Sequence, residues 1–357
     1  MRGTRLELRP AGLRKNARRA RRLAGDSRVY AMLKADGYGH GLALAARAME
    51  SEVDGFGVAV LEEALTLRQL GTDLPLMLLQ GFLDRDELAV TARLGLETVI
   101  HSTWQVELLE CHPPSEGLCV WLKVNTGMHR LGVPAQEAEV LLRRLRAVPG
   151  VRVSGVMTHF ACADEEEDPY TLRQLEGLRG LAGGDELPWS AANSAALCRY
   201  PETHGALVRP GIMLYGSSPL IYRNALDLGL TVTQRLSARI IAVNALETGD
   251  PVGYGATWTA PGPGRVGVVS IGYGDGYPRH APSGTPVAVN GQRTQLVGRV
   301  SMDLITVDLT DLPDTGVGDE VELWGDVVHV DEVARACGTI SYELFCQVTG
   351  RVERLIT

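Results

Sequence analysis

From about residue 29 to residue 225, short apolar runs alternate with longer stretches of helical period. The runs are Val29–Leu33, Gly55–Val60, Leu76–Leu79, Glu97–Ile100, Leu118–Val124, Val153–Thr158, a weaker one at Trp189–Ala192, and Leu207–Tyr215. Short apolar runs bounded by turn residues read as buried strands. Between them, Leu61–Leu70, Asp84–Leu94, Thr103–Cys111, Pro134–Ala147 and Tyr170–Leu181 carry apolar residues at helical spacing. Eight strands alternating with helices over roughly 220 residues predict an α/β fold of (β/α)8 TIM-barrel type. An open dinucleotide-binding sheet would need a G-x-G-x-x-G after its first strand, and none is there.

From about Thr231 the long helical periods stop. β-Branched runs at Ser237–Val243, Arg265–Ile271, Pro286–Val289, Thr294–Val300, Leu304–Asp308 and Glu320–Leu323 alternate with turns such as Pro261-Gly262-Pro263-Gly264 and Asn290-Gly291. This pattern predicts a smaller, mostly antiparallel β domain closed by a helix near Val330–Cys337. The expected division is a barrel over 1–228 and a β domain over 229–357, with residues 1–9 as a candidate extra strand of the β domain.

Composition narrows the class. The 357 residues are 45% hydrophobic and 22% charged, with a formal net charge of −8, an ordinary globular balance that gives nucleic-acid binding no support. The basic segment Arg14–Arg22 alternates with Leu13, Ala17, Ala20 and Leu23, as a solvated helix face does. No signal peptide or membrane-length apolar run is visible. The six cysteines lack metal-ligand spacing and read as reduced thiols in a cytoplasmic protein, with no metal expected.

Of 35 basic residues only three are lysines: Lys15, Lys34 and Lys123. Where charge alone is needed, arginine supplies it; a desolvated lysine can also act as a nucleophile or a base. Lys34 ends the first run and Lys123 the fifth, both where the catalytic rim of such a barrel gathers. The same rim would receive Tyr38, Arg130, His159, Asn193-Ser194 and Arg209-Pro210-Gly211-Ile212. His159 alone could be a core histidine, and Asn193-Ser194 could simply cap the next helix. Together with the backbone amides of Gly211 and Ile212 they could instead hold a phosphate, placing a phosphate-bearing cofactor opposite a lysine.

The ordered segments Leu33-Lys34-Ala35-Asp36-Gly37-Tyr38-Gly39-His40-Gly41, Lys123-Val124-Asn125-Thr126-Gly127-Met128-His129-Arg130, Thr158-His159-Phe160-Ala161, Val208-Arg209-Pro210-Gly211-Ile212, Gly253-Tyr254-Gly255, Gly272-Tyr273-Gly274-Asp275-Gly276 and Ser301-Met302-Asp303 resemble alanine racemase over the whole chain. The resemblance implies a pyridoxal 5′-phosphate (PLP) enzyme that interconverts L- and D-alanine, for peptidoglycan synthesis or alanine breakdown. It also implies a bacterial source and a head-to-tail homodimer whose active sites are shared between subunits. Lys34 would hold PLP as an internal aldimine and serve as one base, Tyr254 would be the other, and His159 with Arg209 would support that tyrosine. Tyr38, Asn193, Ser194, Gly211, Ile212 and Tyr342 resemble cofactor contacts. Arg130, Met302 and Tyr273 resemble substrate contacts, Tyr273 and Tyr342 narrowing the entry, and Lys123 resembles a lysine carbamylated in many members. Ala256, Gly37 and Ser301 depart from the commonest pattern without removing a proposed catalytic group.

Arg209 separates readings within this fold. Decarboxylases of this type place a carboxylate at the cofactor's ring nitrogen; a guanidinium accepts no hydrogen bond, so the nitrogen would have to be the acceptor. The alternatives are a racemase of serine or of broader specificity, and a non-catalytic PLP-binding protein, which would have no use for the second domain.

Overall fold

The computed structural model describes residues 3–166, 168–183 and 187–357. Of the candidate strand at residues 1–9, positions 1 and 2 lie outside the described residues. The chain forms two compact units, one combining the segment up to Gly12 with Val232–Thr357, the other being Leu13–Thr231.

β1 (Arg5–Leu8) belongs to the first of these, pairing antiparallel with Gln234–Ser237 and parallel with Glu353–Ile356. In the second unit, β2 (Arg28–Met32), β3 (Gly55–Val58), β4 (Leu76–Leu78), β5 (Glu97–Ile100), β6 (Leu118–Asn125), β7 (Val133–Pro134), β8 (Val151–Met157), β9 (Trp189–Ser190) and β10 (Leu207–Val208) follow in order. Eight of them run parallel in the order β10-β2-β3-β4-β5-β6-β8-β9, with β7 attached only to β6. The ring closes through backbone bonds from the Ala206 N–H to the Trp189 carbonyl (2.9 Å) and from the Arg209 N–H to the Ala192 carbonyl (2.8 Å). β3 and β4 are buried at every residue, and β2 at all but Arg28, because helices cover one face and barrel filling the other.

The outer helices include Leu61–Gln69, Arg85–Arg93, Thr103–Cys111, Ala135–Ala147 and Tyr170–Leu181. Asp84 caps the second of these, accepting from the Glu87 N–H at 2.9 Å. In helix Pro10–Ala24, Leu13, Asn16, Ala17 and Ala20 are buried. Arg18 pairs with Glu52 at 2.6 Å, and Arg21 with Asp54. The basic segment is a surface face tied to the barrel, as its period predicts.

The eighth apolar run behaves differently from expectation. Strand pairing ends at Val208, and Ile212–Tyr215 is a short 3-10 turn. Pro210 has no N–H to continue a ladder, and Gly211 turns the backbone away at φ −123°, ψ −92°.

In the first unit, the 13-residue β11 (Gln234–Leu246) is the spine. β12 (Pro251–Val252) and β13 (Trp258–Thr259) form a separate ribbon, while β14 (Gly264–Val269), β15 (Pro286–Val289), β16 (Gln292–Gln295), β17 (Ile305–Asp308), β18 (Glu320–Trp324) and β19 (Glu353–Ile356) complete the sheet. All its pairings are antiparallel except β1 with β19. Asn290 and Gly291 take φ of 47° and 80°, the paired positive values of a type I′ hairpin. The expected strand Thr294–Val300 is shorter than its composition suggests: β16 stops at Gln295, and only an isolated bridge from Leu296 to Val307 follows.

One packing constraint in the barrel is severe. The β6–β8 register skips Ser154, aligning Val120 with Val153 and Trp121 with Gly155. A Cβ at Gly155 would strike the Pro188 carbonyl and lie 2.6 Å from the Trp121 ring. Gly155→Ala should therefore destabilise the protein by about 1–3 kcal/mol, measured as a lower urea midpoint with an unchanged unfolding slope.

Candidate active site

Segments just past the strand ends build the mouth of the barrel. After β2, the residues from Lys34 do not continue as an ordinary helix. Ala35 (φ 54°, ψ 54°), Asp36 (54°, 46°) and Gly37 (60°, 46°) are all left-handed, as are Tyr38 (φ 52°) and Gly39 (φ 73°). For a non-glycine residue this conformation costs about 1–2 kcal/mol. The turn keeps its own backbone bonds, Gly37 N–H to Leu33 O at 2.8 Å, Gly39 N–H to Ala35 O at 3.0 Å and Gly41 N–H to Asp36 O at 2.9 Å. Asp36 Oδ1 accepts from the Leu42 N–H at 2.7 Å, tying the turn to helix Leu42–Met49.

This turn leaves the Lys34 side chain exposed and buries Tyr38. Tyr38 stacks on Tyr215 with ring centroids 4.5 Å apart, and the Tyr215 hydroxyl donates to the Met32 carbonyl at 2.8 Å. The Tyr38 hydroxyl lies where a Cβ on Gly211 would be, so only glycine fits there. Ser194 Oγ accepts from the Gly211 N–H at 2.8 Å and the Met213 N–H at 3.4 Å, leaving its own O–H available to donate. Asn193 caps helix Ser194–Arg199 by accepting from the Ala196 N–H at 3.0 Å. Tyr38, Ser194 and Gly211 thus meet, with Asn193 and Ile212 beside them in the chain; the Gly211 N–H, expected as a free donor, is taken up by Ser194.

Beside that cluster sits a group of cations. Arg209 is buried; it donates to the Ser190 hydroxyl, to Thr158 O at 2.6 Å and to Ala191 O at 3.3 Å. Among the described residues no carboxylate pairs with it, and burial pushes its guanidinium down to about 10. Burial, then the charges of Arg209, Arg130 and Lys34, push Lys123 down to about 8. His159 is held well below the usual histidine range by burial, then by Arg209, Lys123, Arg130 and Lys34. It is a neutral imidazole able to accept or donate one hydrogen bond.

Further residues hold the loops in place and are not evident from motif spacing. Gln174 Nε2 donates to His159 O at 3.0 Å, while its Oε1 accepts from the Ala161 N–H at 2.9 Å. Asn125 Oδ1 accepts from the N–H groups of Gly127 (3.1 Å) and His129 (3.0 Å), shaping the loop that presents Arg130. Glu63 reaches from helix Leu61–Gln69 to the peptide after Lys34. A carboxylate three residues past a helix start is a recognisable capping signal, but nothing in its spacing points to Lys34.

Tyr254, Tyr273, Met302 and Tyr342 belong to the β unit. All four are exposed, Tyr254 most of all at 70%. Tyr254 follows Gly253 (φ 74°) and precedes Gly255 (φ 75°) and Ala256 (φ 47°). Tyr273 and Met302 share a turn, with the Tyr273 N–H on Ser301 O at 3.1 Å and the Gly274 N–H on Met302 O at 2.8 Å. Arg351 braces this turn through Asp303 (2.6 Å) and Asp275 (3.5 Å).

The chain matches the family models for the N-terminal domain of alanine racemase over residues 9–219 and for its C-terminal domain over residues 233–356. It is 61% identical to an alanine racemase of Alcanivorax borkumensis over 356 residues, covering all of both chains. It is 47% identical to the biosynthetic alanine racemase of Pseudomonas aeruginosa over 96% of each. Among solved structures, biosynthetic alanine racemase from Pseudomonas aeruginosa superposes with a TM-score of 0.97 at 46% identity, and that from Acinetobacter baumannii with 0.95 at 39%, each over both whole chains. The chain belongs to the alanine racemase family of PLP-dependent isomerases.

Proposed function

We propose that this protein interconverts L- and D-alanine in the cytoplasm using PLP, with Lys34 and Tyr254 as the two groups that exchange the Cα proton. The observation that carries the reading is Arg209, a buried guanidinium that no carboxylate pairs with among the described residues. PLP, when bound, withdraws electrons from a joined amino acid and so acidifies its Cα–H. Tyr38, Ser194, Gly211 and Ile212 suit its phosphate, with Asn193 ordering Ser194 and Tyr342 as a further contact. Arg209 suits a ring nitrogen that accepts a hydrogen bond, a weaker electron sink than a protonated one. That weakness fits a reaction that returns the proton quickly.

In this reading Lys34 tethers the cofactor and moves a proton on one face of Cα, and Tyr254 on the other. Neutral His159 and Arg209 support Tyr254 in that role. Arg130 and the Met302 N–H orient the substrate carboxylate, and Tyr273 with Tyr342 keeps substrates small, favouring alanine over serine or larger amino acids. Tyr254, Tyr273, Met302 and Tyr342 are all exposed on their own unit, as residues offered to a second copy in a head-to-tail dimer would be. No described helix is long and apolar enough to cross a membrane, and all six cysteines are free thiols, which fits a reducing compartment.

Chiral chromatography after incubating PLP-loaded protein with L-alanine should show D-alanine, and Lys34→Ala should abolish it. Tyr254→Phe should keep the cofactor and lower turnover by about 10²–10⁴-fold, the usual worth of one acid–base group. Racemisation of serine in preference to alanine would move the reading to a broader racemase.

Lys123 also fits carbamylation by carbon dioxide: with its value pushed down to about 8 the amine is partly neutral, its nitrogen adds to the CO2 carbon and releases a proton to solvent, and the resulting carbamate anion would offset Arg130 and Arg209. The unmodified apoprotein allows a sign-specific test. With a folded value of about 8 against 10.5 unfolded, the unfolded chain binds more protons across that window. The contribution of Lys123 to stability should therefore rise with pH from about 8 to about 10.5. In urea titrations of the apoprotein, the stability of wild type relative to Lys123→Met should rise across that window.

A further inference from the structure

We propose that Glu63 is a positioning residue that sets the aim of Lys34; this rests on Lys34 being the lysine that tethers the cofactor. The exposed Lys34 side chain is long and flexible, so its backbone direction decides where the amine can reach. That direction depends on the peptide joining Lys34 to Ala35, the first of the left-handed residues. The first N–H groups of any helical turn have no acceptor within it. Glu63 supplies one: its Oε1 accepts from the Ala35 N–H at 2.7 Å.

The other oxygen of the same carboxylate is anchored elsewhere. Oε2 accepts from the Ala59 N–H at 2.8 Å and the Val60 N–H at 3.4 Å, immediately beyond the end of β3. β3 is the barrel neighbour of β2 and pairs with it through Tyr30, Ala31 and Met32. One carboxylate therefore clamps the peptide after Lys34 to the rim of the adjacent strand. Charge-assisted bonds to backbone N–H groups are among the stronger hydrogen bonds, and here they oppose the tendency of Ala35 to relax to a right-handed conformation. Release of Ala35 would rotate the Lys34 peptide while leaving the barrel strands paired.

The two oxygens perform separable tasks. Oε2 makes the local bonds of a helix cap; Oε1 makes the reach to Ala35. Glu63→Asp retains a carboxylate in the first helical turn but is one methylene too short to span both. Glu63→Gln has a single acceptor oxygen and must forfeit one side. Neither change removes apolar burial, so both variants should fold.

The test compares wild type, Glu63→Asp, Glu63→Gln and Lys34→Ala as full-length chains. Hydrogen exchange of the Ala35 amide in the apoprotein should quicken by about tenfold or more in both Glu63 variants, with β6 amides unchanged, as local opening predicts. In the PLP-loaded enzymes, kcat for L-alanine should fall by about 10–100-fold, the scale of a misplacement near 1 Å. KM should stay within about threefold, as for a loss felt in the transition state rather than in binding, and the pH midpoint of the lysine-bound cofactor's absorbance should shift. Unchanged Ala35 exchange would overturn the clamp; quickened exchange with unchanged kcat and absorbance midpoint would overturn its role in aiming Lys34. Wild type that leaves alanine untouched, or Lys34→Ala that keeps the lysine-bound absorbance, would instead fault the functional reading, while the apoprotein exchange result stands apart from both.

Discussion

Positive charge is concentrated at the barrel mouth, from the buried Arg209 and half-buried Lys123 to the exposed Lys34 and Arg130. Lys34, Lys123, Arg130 and Arg209 all press on His159, and three of them press on Lys123. Repulsion of this kind strengthens as the local dielectric falls. A chain with 43 acidic residues has ample material for a balancing carboxylate, yet Arg209 is met by a hydroxyl and two carbonyls. Those are dipoles, which orient a guanidinium without cancelling its charge. Such uncancelled positive charge favours an anionic ligand. It also keeps His159 neutral, which a nearby carboxylate would work against.

Much of the barrel is legible in the sequence because parallel strands covered on both faces become uninterrupted apolar runs. Gly55–Val58, Leu76–Leu78 and Glu97–Ile100 stand almost where the runs place them. Hydrophobicity misleads where an apolar segment is buried without being paired. Leu207–Tyr215 is buried throughout, yet Pro210 and Gly211 convert most of it into a turn that meets Tyr38 and Ser194. The Thr294–Val300 segment keeps ladder pairing only at Thr294 and Gln295, with a single bridge at Leu296 beyond them.

The site is legible to a different degree. Lys34 and Lys123 stand out because arginine carries nearly all other positive charge, and Arg209, His159 and Ser194 follow from their places at strand ends. Glu63, Gln174 and Ser190 do not stand out, because they act on backbone groups and on a guanidinium that are distant in sequence. A carboxylate that caps its own helix and one that also reaches Ala35 look identical in a string of letters. The left-handed turn is equally hidden, since only two of its five residues from Ala35 to Gly39 are glycine and the other three are held by Glu63, by the Leu42 N–H and by the Tyr215 ring.

Backbone strain points to the same places as charge. Among the described residues, six non-glycine positions have positive φ: Ala35, Asp36, Tyr38, His129, Ala256 and Asn290. Asn290 is the corner of a hairpin, where such values are ordinary. The other five adjoin or include candidate site residues: three in the turn after Lys34, His129 beside Arg130, and Ala256 two residues after Tyr254. Each costs on the order of 1–3 kcal/mol and persists only where the surroundings over-determine it. Glu63 and the Tyr38–Tyr215 stack do so for the first group, and Asn125 for His129. Local sequence preference is overridden where long side chains must be aimed, because a lysine, an arginine or a tyrosine reaching into a mouth has too many rotamers to aim itself. Fixing the backbone at its root moves that entropic cost from the binding step into folding, where the packed barrel can bear it.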